Sequence, residues 1–177
     1  MPLGTLEALG GSEFFSFFNV HETKRHGGAG DGVRVVECKP GGFQEYIDMS
    51  FDVNAGGDVV VARLLLDRSW IGSGEHVNPF ANDIAKSFID ALVPPGDHAA
   101  IEPLLRAIMD AKGTSDKRIY LHDQPRDLTP DLDTIKALGV YLEAIPKHEI
   151  SMGHCHLRIE NIVVEGRGRL EIVVRST

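Results

Sequence analysis

The chain has 177 residues, of which 42 % are hydrophobic and 25 % are charged, values typical of a folded protein large enough for one hydrophobic core. Its formal net charge of −8 makes nucleic acid an unexpected partner, because nucleic-acid binding usually needs a basic face. No stretch approaches the roughly 18 apolar residues of a membrane-spanning helix, and no signal-peptide pattern is present, so no membrane association is expected.

Residues 1–32 are predicted to form an N-terminal arm that contains a short helix and a flexible connection. Residues 3–18 carry four phenylalanines at a spacing typical of a short amphipathic helix: Phe14, Phe15, Phe17 and Phe18. We expect this helix to dock on the chain's own core, and contact with a partner is the alternative. The polar, glycine-rich segment HETKRHGGAGDG, residues 21–32, predicts a flexible connection without regular structure.

A three-stranded β-meander is predicted next. Residues 33–38 form the first strand, and residues 43–53 alternate apolar with polar residues, which is typical of a sheet with one wet face. The apolar side of this alternation begins at Phe43. Residues 59–67 are almost continuously apolar and predict a central strand that is covered on both faces.

The middle of the chain predicts three helices. Asn78 is expected to cap the first helix, with Pro79 at its first position and an apolar stripe of Phe80, Ile84, Phe88 and Leu92. A second helix is expected to run to Lys112-Gly113. After a short strand at 117–122, the third helix begins at Thr129-Pro130 and ends before Pro146.

The last part of the chain predicts a β-hairpin, with a long strand at 148–164, a tight turn at 165–168 and a final strand at 169–175. The fold class is therefore α+β: a mostly antiparallel sheet, built from the N-terminal meander and the C-terminal hairpin, with three helices packed mainly on one face. We expect a single domain over residues 1–177, with its α+β core at 33–177.

The strand segment GHCHLRIE holds the candidate ligand-binding residues. In an extended strand, alternate residues share a face, so one face would carry His154, His156, Arg158 and Glu160. Cys155 would point to the core. His154 and His156 are thus a candidate metal-ligand pair, and the third ligand that a catalytic zinc site needs would come from His122, His148 or Glu160. Arg158 disfavours a cation there, and the same residues would suit an anion or a carboxylate.

Two loops are weaker candidates, and we expect both to be structural. The loop 67–80 contains Ser73, Glu75 and His76 close to Trp70, but it lacks the frame of a nucleophile elbow. The loop 121–127 places His122 beside charged residues at a strand end. The run GGAGDG at 27–32 precedes a strand and has no Gly-Lys-Ser/Thr ending, so it does not predict a phosphate loop.

Two functional hypotheses follow. The first is a small, acidic, non-enzymatic binding protein that needs no cofactor, forms a homodimer, and holds an unidentified protein partner or small ligand. The second is a divalent-metal-binding protein or small hydrolase-type enzyme that uses the His154/His156 strand face. The only cysteines, Cys38 and Cys155, do not predict a disulfide framework, and together with the absence of a signal sequence they favour the cytoplasm.

Overall fold

A seven-stranded antiparallel sheet is the centre of the computed structural model, which describes residues 2–28, 32–72, 76–111 and 131–177. The strands are β1 (His21–Gly27), β2 (Arg34–Lys39), β3 (Ile47–Val53), β4 (Val59–Asp67), β5 (Lys147–Ser151), β6 (Cys155–Val164) and β7 (Arg167–Ser176). The helices in the described ranges are α1 (Leu6–Gly10), α2 (Glu13–Phe17), α3 (Arg68–Ile71), α4 (Pro79–Leu92), α5 (His98–Asp110) and α6 (Leu132–Tyr141). A 3₁₀ turn, Pro95–Asp97, leads into α5.

The strand order is β1-β2-β3-β4-β7-β6-β5, so the first and last parts of the chain meet at the β4–β7 pair. The register of this pair runs from Val61 opposite Arg175 to Asp67 opposite Arg169. The sheet is therefore one continuous structure, and its central strands come from opposite ends of the sequence.

One face of the sheet is buried beneath the helices, and the other is lined by ion pairs. Strand β3 alternates as the sequence predicts, with buried residues at every second position from Ile47 to Val53. The half-buried positions between them carry Asp48 and Asp52. Asp52 pairs with Arg63 of the neighbouring strand β4 at 2.7 Å, and Asp48 pairs with Arg169 of β7, two strands away, at 3.1 Å. This face is wet and charged, as the alternation predicts.

Local capping explains where the helices begin. The Asn78 side chain accepts a hydrogen bond from the backbone N–H of Phe80, and Pro79 occupies the first turn of α4, as predicted. Asp131 caps α6 through the N–H of Thr134. The arm helices α1 and α2 are capped by Thr5 and Ser12 in the same way, so both are specified locally.

Several details of the predicted architecture are wrong. Residues 21–27 form the edge strand β1 instead of a flexible connection, which extends the meander to four strands. The predicted strand 148–164 is two strands, β5 and β6, separated by a turn at 152–154, so the C-terminal unit has three strands. Six helices occur in the described ranges, whereas the sequence predicts one short helix in the arm and three in the middle of the chain.

Other predictions have mixed outcomes. Strand β4 is central, but burial alternates along it, so only one of its faces is fully covered. A tight turn joins β6 to β7, but it is shorter than the predicted 165–168, because β7 already begins at Arg167. Its two residues, Glu165 and Gly166, both have positive φ, as a type I′ turn requires. The predicted strand 117–122 and the predicted cap at Thr129-Pro130 lie outside the described residues.

A buried polar network ties the helices together. The Tyr141 hydroxyl donates to Asn82 Oδ1 at 2.5 Å, and Asn82 Nδ2 donates to the Ala111 carbonyl at 2.7 Å. Arg68 donates to the Tyr141 carbonyl at 2.9 Å. Burial raises the pKa of Tyr141 far above its ordinary value, so the hydroxyl remains a donor. This network joins α3, α4, α6 and the end of α5.

The Tyr141→Phe variant tests this network. It removes the hydroxyl and leaves Asn82 Oδ1 buried without a donor, so we expect the free energy of unfolding to fall by about 1–3 kcal/mol. Urea denaturation measures the loss. Tyr46→Phe is the matched control, because Tyr46 is half-buried and stacks on Trp70 through its ring. An equal effect of both substitutions would contradict the assigned role of the network.

Candidate functional site

The two predicted metal-ligand histidines contact different parts of the fold. His154 lies in the turn before β6, where its Nδ1 is 3.1 Å from Oδ1 of Asp97, at the start of α5. His156 lies in β6, and its Nδ1 is 3.0 Å from Oγ of Ser151 in β5. The strand alternation that would place both imidazoles on one face does not extend to His154, because β6 begins only at Cys155.

The other predicted ligand residues of β6 are joined by ion pairs. Arg158 lies 2.6 Å from Glu171 and 3.6 Å from Glu160, so its charge is balanced by two carboxylates. His148 pairs with Asp133 of α6 at 2.7 Å.

The remaining candidate residues are not brought together in the described structure. His122 lies outside the described residues, as do Ser73 and Glu75, and His76 is exposed. Within the described ranges, no group of three His, Cys, Asp or Glu side chains has an arrangement that would hold a metal ion.

Asp97, which no sequence pattern singles out, joins the start of α5 to the β5–β6 turn. Its Oδ2 accepts the backbone N–H of His154 at 2.8 Å and faces the Cys155 thiol at 3.6 Å. Gly96 packs directly against the His154 ring, and an added Cβ would lie 3.0 Å from the ring's Cε1. Burial by itself raises the pKa of Asp97, but the hydrogen bonds from His154 and Cys155 outweigh it and lower the pKa below its ordinary value.

The cluster of Asp97, His154 and Cys155 contains the residue types of a Cys-His-Asp catalytic site but not the geometry of such a site. Asp97 contacts both other members, whereas a nucleophile needs a base within hydrogen-bond reach. Cys155 is fully buried, and burial, together with the charge of Asp97 and the hydrogen bond to it, raises the pKa of its thiol to about 12. The arrangement therefore anchors a turn and does not activate a nucleophile.

Replacing Asp97 tests the anchor. Because the pKa of Asp97 is lower in the folded than in the unfolded chain, its contribution to stability is complete above the ordinary carboxyl pKa and is lost as the pH falls through the folded value. We expect Asp97→Asn to reduce the free energy of unfolding by about 1–3 kcal/mol near neutral pH. The difference from wild type should narrow below about pH 3.

Urea denaturation at both pH values measures this effect, with the exposed Asp110→Asn as the control at the other end of α5. Unchanged stability of the Asp97→Asn protein near neutral pH would contradict the anchoring role.

The two thiols are expected to be unreactive in the folded protein. Burial is the main cause that raises the pKa of Cys38 to about 11, and the Cys155 value is higher still. At about pH 8, fewer than about one Cys38 thiol in a thousand is ionised, and the thiolate is the reactive form. Iodoacetamide should therefore modify neither cysteine in native buffer and both in urea, as read by mass spectrometry. Rapid modification of native Cys155 would show that it is accessible and activated.

An exposed aromatic surface lies at the opposite end of the sheet from His154. It consists of Phe17, Phe43, Trp70 and Phe80, with exposures of 77 % for Phe17, 58 % for Phe80 and 46 % for Phe43. The Phe43 ring lies 5.2 Å from that of Trp70 and 5.4 Å from that of Phe80, centre to centre. Tyr46 also stacks on Trp70, at 5.9 Å and an interplanar angle of 6°.

Separate segments of the chain build this surface because antiparallel strands bring their connections together. The β2–β3 connection supplies Phe43, α3 after β4 supplies Trp70, and α4 begins beside them with Phe80. The Phe18 carbonyl at the end of α2 accepts the N–H of Gly41 at 2.9 Å, which draws α2 against the β2–β3 connection. A Cβ on Gly41 would lie 2.9 Å from that of Asn19, so this approach needs glycine.

Two adjoining grooves flank α2. The aromatic groove, of about 310 Å³, lies between α2, the β2–β3 connection and the start of α4, and its apolar lining is Phe17, Phe18, Pro40, Phe43, Ile47, Trp70, Phe80 and Ile84. The α2–α4 groove, of about 980 Å³, lies on the other side of α2 and includes Glu13, Phe14, Asp83, Lys86, Asp90 and Met109. Phe17 and Phe18 line both, so the two grooves adjoin at these two side chains.

The amino-acid sequence indicates parts of this surface but not how they assemble. Phe14 and Phe15 dock on the core as expected, whereas Phe17 projects outward. Phe43 and Phe80 were expected on buried faces and are exposed, because Phe43 precedes β3 and Phe80 occupies the first turn of α4. The only indication of an aromatic surface in the sequence is the number of phenylalanines. Whether each ring points inward or outward depends on tertiary packing.

Comparisons with protein-family models, with curated proteins and with solved structures give no match for this chain. In the part of the chain that the structure describes, no helix has the length and apolar character needed to cross a membrane.

Proposed function

We propose that the protein is a non-enzymatic binding protein whose aromatic groove holds an apolar side chain of a polypeptide partner. The exposure of Phe17, Phe43 and Phe80 around one groove is the observation that supports this proposal most directly. Complete burial of one such side chain contributes about 1.5–3 kcal/mol of favourable free energy. Covering three neighbouring exposed rings would therefore favour association strongly. Contiguous exposed apolar patches of this kind mark interaction sites.

The backbone at Phe43 supports the same proposal. Its φ of 55° lies in the left-handed region, which costs an ordinary residue about 1–2 kcal/mol. A bulky aromatic residue is uncommon there, and strained residues of this type cluster at ligand-contacting sites. In this strained conformation, the Phe43 ring contacts Trp70 and Phe80, and almost half of the residue remains exposed to solvent.

The rigidity of the surface also suits binding. Aromatic rings contribute large contact areas through only two rotatable side-chain bonds, and they are enriched among the residues that dominate interface affinity. Trp70 already contacts both the Tyr46 ring and the Phe43 ring, so little further ordering is needed on binding.

The metal-binding or hydrolase alternative receives no comparable support. His154 is held by Asp97 near the helical layer, and His156 is bonded to Ser151. The homodimer expected from the sequence remains a prediction, and light scattering of the purified protein tests it.

Selection from a displayed library of random peptides tests the binding proposal. We expect enriched peptides to share an aromatic or aliphatic anchor and to change the fluorescence of Trp70, the only tryptophan in the chain. In calorimetry, the Phe17→Ser/Phe80→Ser variant should bind them at least about tenfold more weakly, because truncating an anchor-contacting aromatic typically costs more than 1 kcal/mol.

Val163→Ser is the matched control. Val163 is 75 % exposed near the β6–β7 turn, outside both grooves, and its replacement should leave the affinity unchanged. Failure to enrich any peptide, or full binding by the Phe17→Ser/Phe80→Ser variant, would refute the proposed site.

A further inference from the structure

We infer that the partner segment carries a lysine or arginine beside its apolar anchor and that the α2–α4 groove binds this cation, an inference that rests on the proposed function. The observation behind it is that two chemically different grooves adjoin at Phe17 and Phe18. One is lined almost entirely by apolar groups, and the other is edged by three carboxylates: Glu13, Asp83 and Asp90.

The carboxylates of the α2–α4 groove are incompletely neutralised. Lys86 is the single cation among its lining residues, and it pairs with Asp90 at 3.4 Å along α4. Within the described part of the chain, no lysine or arginine forms an ion pair with Glu13 or Asp83. By contrast, the carboxylates on the open face of the sheet have arginine partners, as at Asp52 and Glu171. Among the described residues that line this groove, three carboxylates thus face one lysine.

The apolar components of the α2–α4 groove favour a long cationic side chain over a small ion. Phe14 and Phe17 form one wall, and Met109, which is 43 % exposed, lies at the α5 side. Lysine and arginine bury their hydrocarbon stems against apolar surface while the charged head reaches carboxylates. This combination of an apolar wall and a carboxylate edge matches both parts of such a side chain.

The two grooves are close enough to bind neighbouring side chains of one segment. They share Phe17 and Phe18, so a side chain in the aromatic groove and a side chain in the α2–α4 groove are separated by the width of one phenylalanine ridge. The formal net charge of −8 acts in the same direction, since it attracts cationic segments and speeds their encounter. The partner is therefore a polypeptide segment with an apolar anchor and an adjacent basic residue.

The test compares three versions of the tightest peptide from the library selection, in which the positions flanking the anchor are all lysine, all glutamine or all glutamate. We expect the affinities to decrease in that order in calorimetry. The lysine peptide should exceed the glutamate peptide by about tenfold or more at low salt, with the ratio shrinking at high salt as the charges are screened.

Variants in which a carboxylate is replaced by the corresponding amide show which carboxylates cause the preference for the lysine peptide. Glu13→Gln/Asp83→Asn should lower the lysine-to-glutamate ratio by about threefold or more without changing affinity for the glutamine peptide. Glu165→Gln, at the tip of the β6–β7 turn, should retain the wild-type ratio. Circular dichroism of each variant checks that the fold is unchanged.

The outcomes separate this inference from the proposed function. Binding of all three peptides with equal affinity, or preference for the glutamate peptide, would overturn the cation inference and leave the aromatic groove as the site. Loss of binding by every peptide would overturn both. A dimer that Phe17→Ser converts to a monomer, with no peptide bound by the dimer, would identify a second copy of the chain as the occupant and would also overturn the inference.

Discussion

The pairing of β4 with β7 is the constraint on which the rest of the structure depends. It joins residues 61–67 to residues 169–175, so two strands separated by most of the chain become the middle of one sheet. Such a distant pairing has a high loop-closure cost, which burial must offset. The inner face of the pair is completely buried, at Ala62, Leu64, Leu66, Leu170, Ile172 and Val174. The helices α3 to α6 arise within the intervening sequence and cover that face.

The two ends of this sheet have different characters, and the difference follows from which connections meet there. At one end, Asp97 holds the turn before β6 through hydrogen bonds with the His154 N–H, His154 Nδ1 and the Cys155 thiol. At the other end, the β2–β3 connection, α2 and the start of α4 bring together aromatic rings that the core does not fully cover. Polar groups that satisfy one another stabilise a fold, whereas exposed apolar rings remain available for association.

The distribution of charge reinforces this difference. On the open face of the sheet, strand neighbours supply each other's counter-charges, as in the pairs Arg63–Asp52 and Arg158–Glu171. Such pairs add little net stability when exposed, but they leave few uncompensated charges on that face. The carboxylates near α2 and α4 are less fully paired, so part of the negative field of the protein is located beside the exposed aromatic rings.

The sequence by itself determined the features that local physics controls. The α+β class, the alternation of β3, the start of α4 at Asn78 and the turn at Glu165-Gly166 each follow from a short pattern whose physical cause lies within a few residues. Strand β1 was missed because all seven of its residues are exposed, so it carries no apolar alternation. The break between β5 and β6 was missed because a turn of three residues hardly interrupts a strand-like composition.

Only the tertiary structure decided where the candidate sites lie. His154 and His156 are two residues apart, yet they have different partners because a turn ends between them. Phe17, Phe43 and Phe80 are far apart in the chain, yet they surround one groove. They meet there because antiparallel strands bring the segments that connect them to the same end of the sheet. The periodicity of apolar residues indicates which side of its own helix or strand a residue occupies. It does not indicate whether another element covers that side, and a phenylalanine is buried only where another element does.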